Sequence, residues 1–185
     1  MGNETEPRGR KIPKPVTAQR LQARALAYLS RYASSSENLR RVLERAVRRA
    51  ACHHETDRAA AAETITGLIA KFERAGILDD NAYAEARVRS LHRGGASRAK
   101  IAAQMAQKGV PREAVERAMS ALEKERPGAD LDLDAAWRYA KRRRFGPYRD
   151  PDRRAERRER DLAAMARTGF SVAVALKVID ADRPD

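Results

Sequence analysis

The sequence is short of the residues that build disulfide scaffolds, metal sites and β-sheets. It contains one cysteine among 185 residues, so the chain cannot form an internal disulfide, and the usual four-ligand zinc finger is excluded. Aromatic residues make up only 5% of the chain, whereas strands favour aromatic and β-branched residues. These shortages exclude a secreted disulfide scaffold and favour helices.

Long apolar runs are also missing. No stretch approaches the roughly 18 consecutive apolar residues of a membrane-spanning helix. The first six residues, MGNETE, lack the apolar core of a signal peptide. We therefore expect a protein of the cytoplasm, a reducing compartment, with no membrane partner.

Positive charge, by contrast, is abundant. The chain has 39 Lys and Arg residues against 26 Asp and Glu residues, and its formal net charge is +13. It has no nucleophile elbow, no glycine-rich phosphate loop and no HExxH motif. We therefore expect a protein that is not an enzyme, needs no cofactor and binds a polyanion.

Apolar residues recur at helical spacing from Thr17 onward and predict nine helices, so the expected fold class is all-α. The pattern is interrupted by glycine turns at Gly76, at 94–95 and at Gly109. We place the fourth helix at 81–92, with Tyr83, Ala86, Ser90 and Leu91 facing inward. The last three helices are expected at 134–144, 151–167 and 171–179.

An internal repeat organises these helices. The segment MAQKGV at 105–110 returns as MARTGF at 165–170, and the Tyr-Ala pair at 83–84 returns at 139–140. Short helical units that cannot bury a face alone commonly stack in series. We predict three tandem three-helix modules at 17–80, 81–126 and 127–185, each with a net positive charge. Residues 1–16 are proline-rich and basic, and we expect a disordered basic arm there.

Few residues suggest chemistry. Cys52, His53, His54 and Glu55 are adjacent, but neighbours on a helix point about 100° apart and cannot converge on one ion, so we expect no metal site. The pair at 79–80 precedes a helix and is better suited to N-capping than to acid–base work. His92 stands alone near a helix end, with no partner in the sequence for proton transfer.

Basic residues are therefore the candidate contacts. The second module contributes cations around the 94–95 turn, and the third contributes the run at 141–144 beside Phe145 and Tyr148. A solvated, salt-bridged helix face is the competing interpretation of such charges. The candidate contact residues are Arg89, Arg93, Arg98, Lys100, Lys108, Arg142, Arg143 and Arg144.

Five segments resemble the RecX family of bacterial recombinase regulators: 25–31, 36–39, 76–84, 88–90 and 108–110. The most specific part is LDDNAYA at 78–84 followed by KGV at 108–110. The resemblance covers about residues 20 to 125 well, and the third module follows the repeat plan only loosely. In the first module, 48–57 replaces the expected Lys-Gly turn.

The resemblance implies tandem three-helix repeats in an elongated, curved, right-handed-type helical array. It also implies a monomer that binds the RecA filament, mainly inhibits its ATPase, strand-exchange and co-protease activities in DNA repair and the SOS response, and contacts single- or double-stranded DNA weakly. Arg89, Lys100 and Lys108 match basic positions of the family, whereas Arg93 is a neighbour by spacing only.

Two other functions fit the charge. The helices expected at 97–107 and 111–122, with a short glycine turn between them, could form a helix-turn-helix-like pair of a stand-alone DNA-binding protein. Sequence preference in DNA binding without a recombinase would distinguish this alternative. An RNA-associated chaperone is a third possibility, supported by charge alone.

Overall fold

The computed structural model describes residues 13–182, and within that range helices are the only regular secondary structure. The all-α prediction is therefore confirmed. The helices in this range are α1 (Ala18–Leu29), α2 (Ser36–Ala51), α3 (Arg58–Arg74), α4 (Asp80–Arg93), α5 (Arg98–Gln107), α6 (Arg112–Glu125), α7 (Leu131–Arg143), α8 (Pro151–Arg167) and α9 (Val172–Ile179), with a 3-10 turn at Gly146–Tyr148. Residues 1–12 of the predicted arm lie outside the described residues.

The described residues form two compact units, which divide between Leu78 and Asp79. The first contains α1 to α3, whose core is built around Leu39, Leu43 and Ile65. Ser35 caps the start of α2, because its Oγ accepts a hydrogen bond from the backbone N–H of Asn38 at 3.2 Å. Serine is suited to this position because its short side chain can reach back to the free N–H groups of the first helical turn.

The second unit contains two core clusters. One draws on α4, α5 and α6 and includes Leu131, the first residue of α7. The other draws on α7, α8 and α9, with Met165 and Val178 fully buried. The first core of this unit therefore extends beyond α6 into the start of α7. The division into three modules at 80 and 126 stays a prediction.

The sequence repeat corresponds to a structural one. In both 105–110 and 165–170 the methionine is completely buried, and the glycine adopts a positive φ of 68° and 86°, respectively. In both, the N–H of the last residue donates to the methionine carbonyl, at 3.1 and 3.3 Å. Because these are the bonds of a glycine-terminated helix end, α5 and α8 finish in the same way.

The buried face of helix α4 differs from the predicted one. It consists of Ala84, Val88 and His92, whereas Ala86 and Ser90, predicted to face inward, are exposed. Alanines at alternate positions from 82 to 86 made several stripes equally apolar, and a polar histidine does not contribute to an apolar count. Tyr83 and Leu91, also predicted to face inward, are partly buried against the same core.

Helix α7 begins three residues before the predicted start at 134. Asp130 is its cap, and the Asp130 carboxylate accepts from the N–H of Leu133 at 3.0 Å. Two hydrogen bonds join α4 to α6, one between Asn81 and Arg117 and one between Arg89 and Glu125. Each joins residues 36 positions apart in the sequence, so the two helices run parallel. Helix α5 connects them and shares their core, so the α4–α5 corner belongs to the same packed cluster of helices.

Candidate interaction surface on α4, α5 and α7

The corner between α4 and α5 packs directly on α7. Gly95 adopts φ of 76°, and a Cβ at this position would lie 2.8 Å from the backbone N of Tyr139 and 2.9 Å from the carbonyl O of Ala135. Only glycine satisfies both the backbone conformation and the close approach. The glycine pair predicted as a turn is therefore also the point where α7 meets the preceding helices.

Arginines from α7 gather around this corner. The guanidinium of Arg142 donates to the carbonyl of Gly94 and lies 5.6 Å from the centroid of the Tyr139 ring. That of Arg138 lies 3.5 Å from the carbonyl of His92. Cations are stabilised at a helix C-terminus, where backbone carbonyls lack helical partners. With exposed Arg93 beside Gly94 in the chain, these residues form what we call the corner cluster: Arg93, Arg138 and Arg142.

His92 is a buried connector beneath the corner cluster. It is 3% exposed, and its Nε2 lies 2.9 Å from the carbonyl of Leu131. A carbonyl can only accept, so Nε2 carries the proton. The opposite nitrogen, Nδ1, lies 3.4 Å from the guanidinium of Arg138. The histidine thus joins α4 to α7. No local sequence pattern indicates either partner, because both are far along the chain.

Two predicted contact residues are engaged within the protein. The guanidinium of Arg89 lies 2.7 Å from Glu125 and 3.5 Å from Glu85. The hydrogen bond that Arg89 donates to Glu125 raises the pKa of Arg89 above its usual value. Arg98 forms an ion pair with Glu123. Both arginines therefore tie α4 or α5 to the end of α6, and all of these side chains remain more than one third exposed.

Helix α5 carries the two predicted lysines at its opposite ends. Lys100 lies in the first turn, where its N–H donates to the N-cap Oγ of Ser97 at 3.1 Å, and its ammonium forms no ion pair within residues 13–182. Lys108 is the exposed residue that ends the helix. Ser97 itself donates to the carbonyl of Thr168 at 2.6 Å, which ties α5 to the turn after α8.

The remaining predicted cations stand at the end of α7. Arg143 is exposed, with its guanidinium 6.0 Å from the Phe145 ring. Arg144 is exposed and has a left-handed backbone with φ of 55°. The structure therefore brings Arg93 and Arg142 to one corner, whereas Arg89 and Arg98 face the glutamates of α6. Arg138, which sequence reasoning did not single out, belongs with the corner cluster.

Asp79 serves the fold. Its carboxylate accepts from the N–H groups of Asn81 and Ala82 at 2.9 and 3.0 Å, which caps α4 as expected. In the described part of the chain, no three His, Cys, Asp or Glu residues are grouped so that they could hold a metal ion. Over the same residues, no helix combines the length and the apolar character needed to cross a bilayer.

Helix α6 bears on the helix-turn-helix alternative, in which it would enter a DNA groove. It carries three cationic and four acidic residues: Arg112, Arg117, Lys124, Glu113, Glu116, Glu123 and Glu125. Arg112 pairs with Glu116 at 2.6 Å, and Arg117 donates to Asn81. A reading helix with excess negative charge is repelled by phosphates, so the charge of α6 argues against this alternative.

Comparison with known proteins gives a consistent result. Residues 79–119 match the family model described as RecX, second three-helix domain. The chain is 42% identical over 176 residues to the regulatory protein RecX of Myxococcus xanthus, covering 95% of this chain and 92% of that protein. It is 31% identical over 180 residues to RecX of Thermobifida fusca, covering 96% and 86%, respectively.

A solved structure shares the fold. The crystal structure of a regulatory protein RecX superimposes with a TM-score of 0.63 at 21% identity. The match covers 89% of this chain and 73% of that one. At this identity the similarity concerns architecture, and it agrees with the helical arrangement described above.

Proposed function

The chain belongs to the RecX family of regulatory proteins, and from that premise we propose that it regulates the RecA recombinase, mainly as an inhibitor. In this proposal it binds the RecA–DNA filament as a monomer in the cytoplasm. Binding modulates the ATPase, strand-exchange and co-protease activities of RecA during DNA repair and the SOS response. The protein acts by occupying a surface of the filament and catalyses no reaction of its own.

One observation carries the choice of contact surface: cations on α4, α5 and α7 lie exposed without carboxylate partners in the described residues. They include Arg93 at the corner and Arg143 and Arg144 at the end of α7. Lys100, half-buried, likewise has no ion pair there. A nucleoprotein filament presents phosphates and acidic side chains, to which such cations are electrostatically complementary.

The other predicted contacts have a more conditional role in this proposal. Arg89 and Arg98 would exchange their glutamate partners for groups of the filament. Exposed ion pairs contribute only about 0–1 kcal/mol, so the exchange costs little. Lys108 adds a cation at the far end of α5, and Arg142 a guanidinium already oriented at the corner.

Repetition in the partner amplifies modest contacts. A filament offers the same surface at each subunit, so a second basic element of this chain binds at high effective concentration once the first is bound. The contacts on α5 and those at the end of α7 would then reinforce one another. This accounts for a regulator that needs no deep pocket.

The test is ATP hydrolysis by RecA assembled on single-stranded DNA. Addition of the purified protein is expected to reduce the hydrolysis rate at roughly one molecule per few RecA subunits, because binding is multivalent. Co-sedimentation with the filament in parallel separates binding from inhibition. Unchanged hydrolysis together with no co-sedimentation would overturn the proposal.

A further inference from the structure

A basic groove lies in the first unit, and none of its lining residues belongs to the surface described above. It has a volume of about 380 Å³ and runs between α1 and α2, with 13–16 forming one end. Its charged lining residues are Lys14, Arg20, Arg24 and Arg49, and Leu21 lies on its apolar floor. Among the residues described as lining this groove, none is acidic.

A second depression lies along α2 and shares a lining residue with the groove. Arg45, Arg48 and Cys52 line this depression, and Arg49 lines both. Arg48 has a distant partner, Glu44, at 3.9 Å. Six cations therefore follow one another over the two depressions, and the sequence supplies three more just before Lys14, at positions 8, 10 and 11.

The geometry of the groove is set by contacts with the chain that precedes α1. The guanidinium of Arg20 donates to the carbonyl of Pro15 at 2.9 Å, and Nε2 of His54 lies 2.7 Å from the carbonyl of Pro13. Val16 packs on the core of the unit. Lys14, Arg24 and Arg49 have no carboxylate partner within residues 13–182, so their charge is available to a ligand.

We propose that this groove binds the phosphodiester backbone of nucleic acid. Six cations line the two depressions and no acidic residue is among their described lining residues, which suits a polymer that carries a negative charge every few ångströms. Arginine, which supplies five of the six, matches phosphate geometry with its planar, multiply donating guanidinium. No aromatic residue is among the described lining residues, so bases have no stacking platform and binding is independent of sequence.

An acidic peptide would find matching charges too, but it would need regularly spaced carboxylates to engage both depressions. The six cationic lining residues, with no acidic residue among them, favour the phosphate polymer. Because this surface shares no residue with the proposed recombinase contacts, it is tested on free DNA. Its failure is therefore distinguishable from failure of the proposed function.

The test uses the full chain and fluorescently labelled oligonucleotides, one single-stranded and one duplex, each with two unrelated sequences. Anisotropy titrations are made at several salt concentrations with the wild type and the double variant Arg24→Glu/Arg49→Glu. The variant is expected to bind at least about tenfold more weakly. The slope of log affinity against log salt should fall by about two, since two phosphate contacts are lost.

Two matched variants make the result specific. Lys71→Glu/Arg74→Glu changes the same net charge on exposed positions of α3 in the same unit and should keep the wild-type salt slope. Arg24→Lys/Arg49→Lys keeps the charge and should retain most of the affinity. Circular dichroism confirms that each variant is folded. Equal losses in the α3 and groove variants, wild-type affinity of the groove variant, or a clear sequence preference would each overturn the proposal.

Discussion

At the scale of single residues, the structure contains a buried acidic side chain, that of Asp161. Asp161 lies in the arginine-rich α8 and is only 2% exposed. Its two carboxylate oxygens accept from Arg149 at 2.7 and 3.0 Å, and one of them also accepts from the N–H of Gly146 at 3.2 Å. The hydrogen bonds that Arg149 donates to Asp161 raise the pKa of Arg149.

The sequence could not reveal this pair. Residues 153–160 intersperse two glutamates among five arginines, which is typical of a solvated helix face, and Asp161 continues that charged run. Whether it is buried depends on the 3-10 turn at Gly146–Tyr148, a short irregular element without a periodic signal. Likewise, sequence patterns identified the exposed cations as a class. They could not show that Arg89 forms an ion pair with Glu125, or Arg98 with Glu123.

Replacing Asp161 with alanine should therefore destabilise the second unit strongly. Removing the carboxylate leaves the guanidinium of Arg149 and the backbone N–H of Gly146 without their acceptor. The free energy of unfolding should fall by about 3 kcal/mol, the low end of the range for a broken buried ion pair, because Arg149 is partly exposed. Urea unfolding measures the change. Glu159→Ala on the same helix, with a side chain 85% exposed, should stay within about 0.5 kcal/mol. Similar values for both variants would contradict a structural role for the pair.

At the scale of elements, sequence reasoning worked where local chemistry determines the outcome. Helix ends marked by Asp79, Ser97 and Gly109 were predicted because capping and left-handed glycines depend on neighbouring residues only. The docking of α7 on the α4–α5 corner was not predicted. It depends on backbone approach between residues about 40 apart, as in the contact of His92 with Leu131, at a separation of 39, and no local pattern records it.

The Gly95→Ala variant tests that docking. Both Gly95 and Gly128 have left-handed backbones, for which an added Cβ costs about 1–2 kcal/mol. At Gly128 nothing lies within 4 Å of the added atom, whereas at Gly95 it meets the backbone of α7. Gly95→Ala should therefore lower the free energy of unfolding by about 1–3 kcal/mol more than Gly128→Ala does, as overpacked sites do. Equal losses of stability for the two variants in thermal or urea unfolding would contradict a close contact between Gly95 and α7.

At the scale of the whole molecule, composition predicted the kind of partner and the structure refined the surface. A net charge of +13 without catalytic motifs indicates a polyanion-binding protein, but it treats all cations alike. The structure separates cations paired with carboxylates, such as Arg89 and Arg98, from cations such as Arg93, Lys100 and Arg49, which have no carboxylate partner within residues 13–182. Function in this proposal therefore depends on a minority of the positive charges, and variants of equal net charge should differ in effect.

Lys100→Glu/Lys108→Glu tests this dependence against the recombinase. Both residues lie at the ends of α5 and neither belongs to a core cluster, so helicity by circular dichroism should be unchanged. The concentration of protein needed to inhibit RecA ATP hydrolysis should rise by about tenfold or more, because the reversed charges repel phosphates and carboxylates of the filament. The matched control is Lys124→Glu/Lys177→Glu, exposed lysines of the same unit outside the proposed surface. If the control weakens inhibition equally, total charge rather than the α5 surface determines binding, and unfolding of the first variant would instead assign those lysines to the fold.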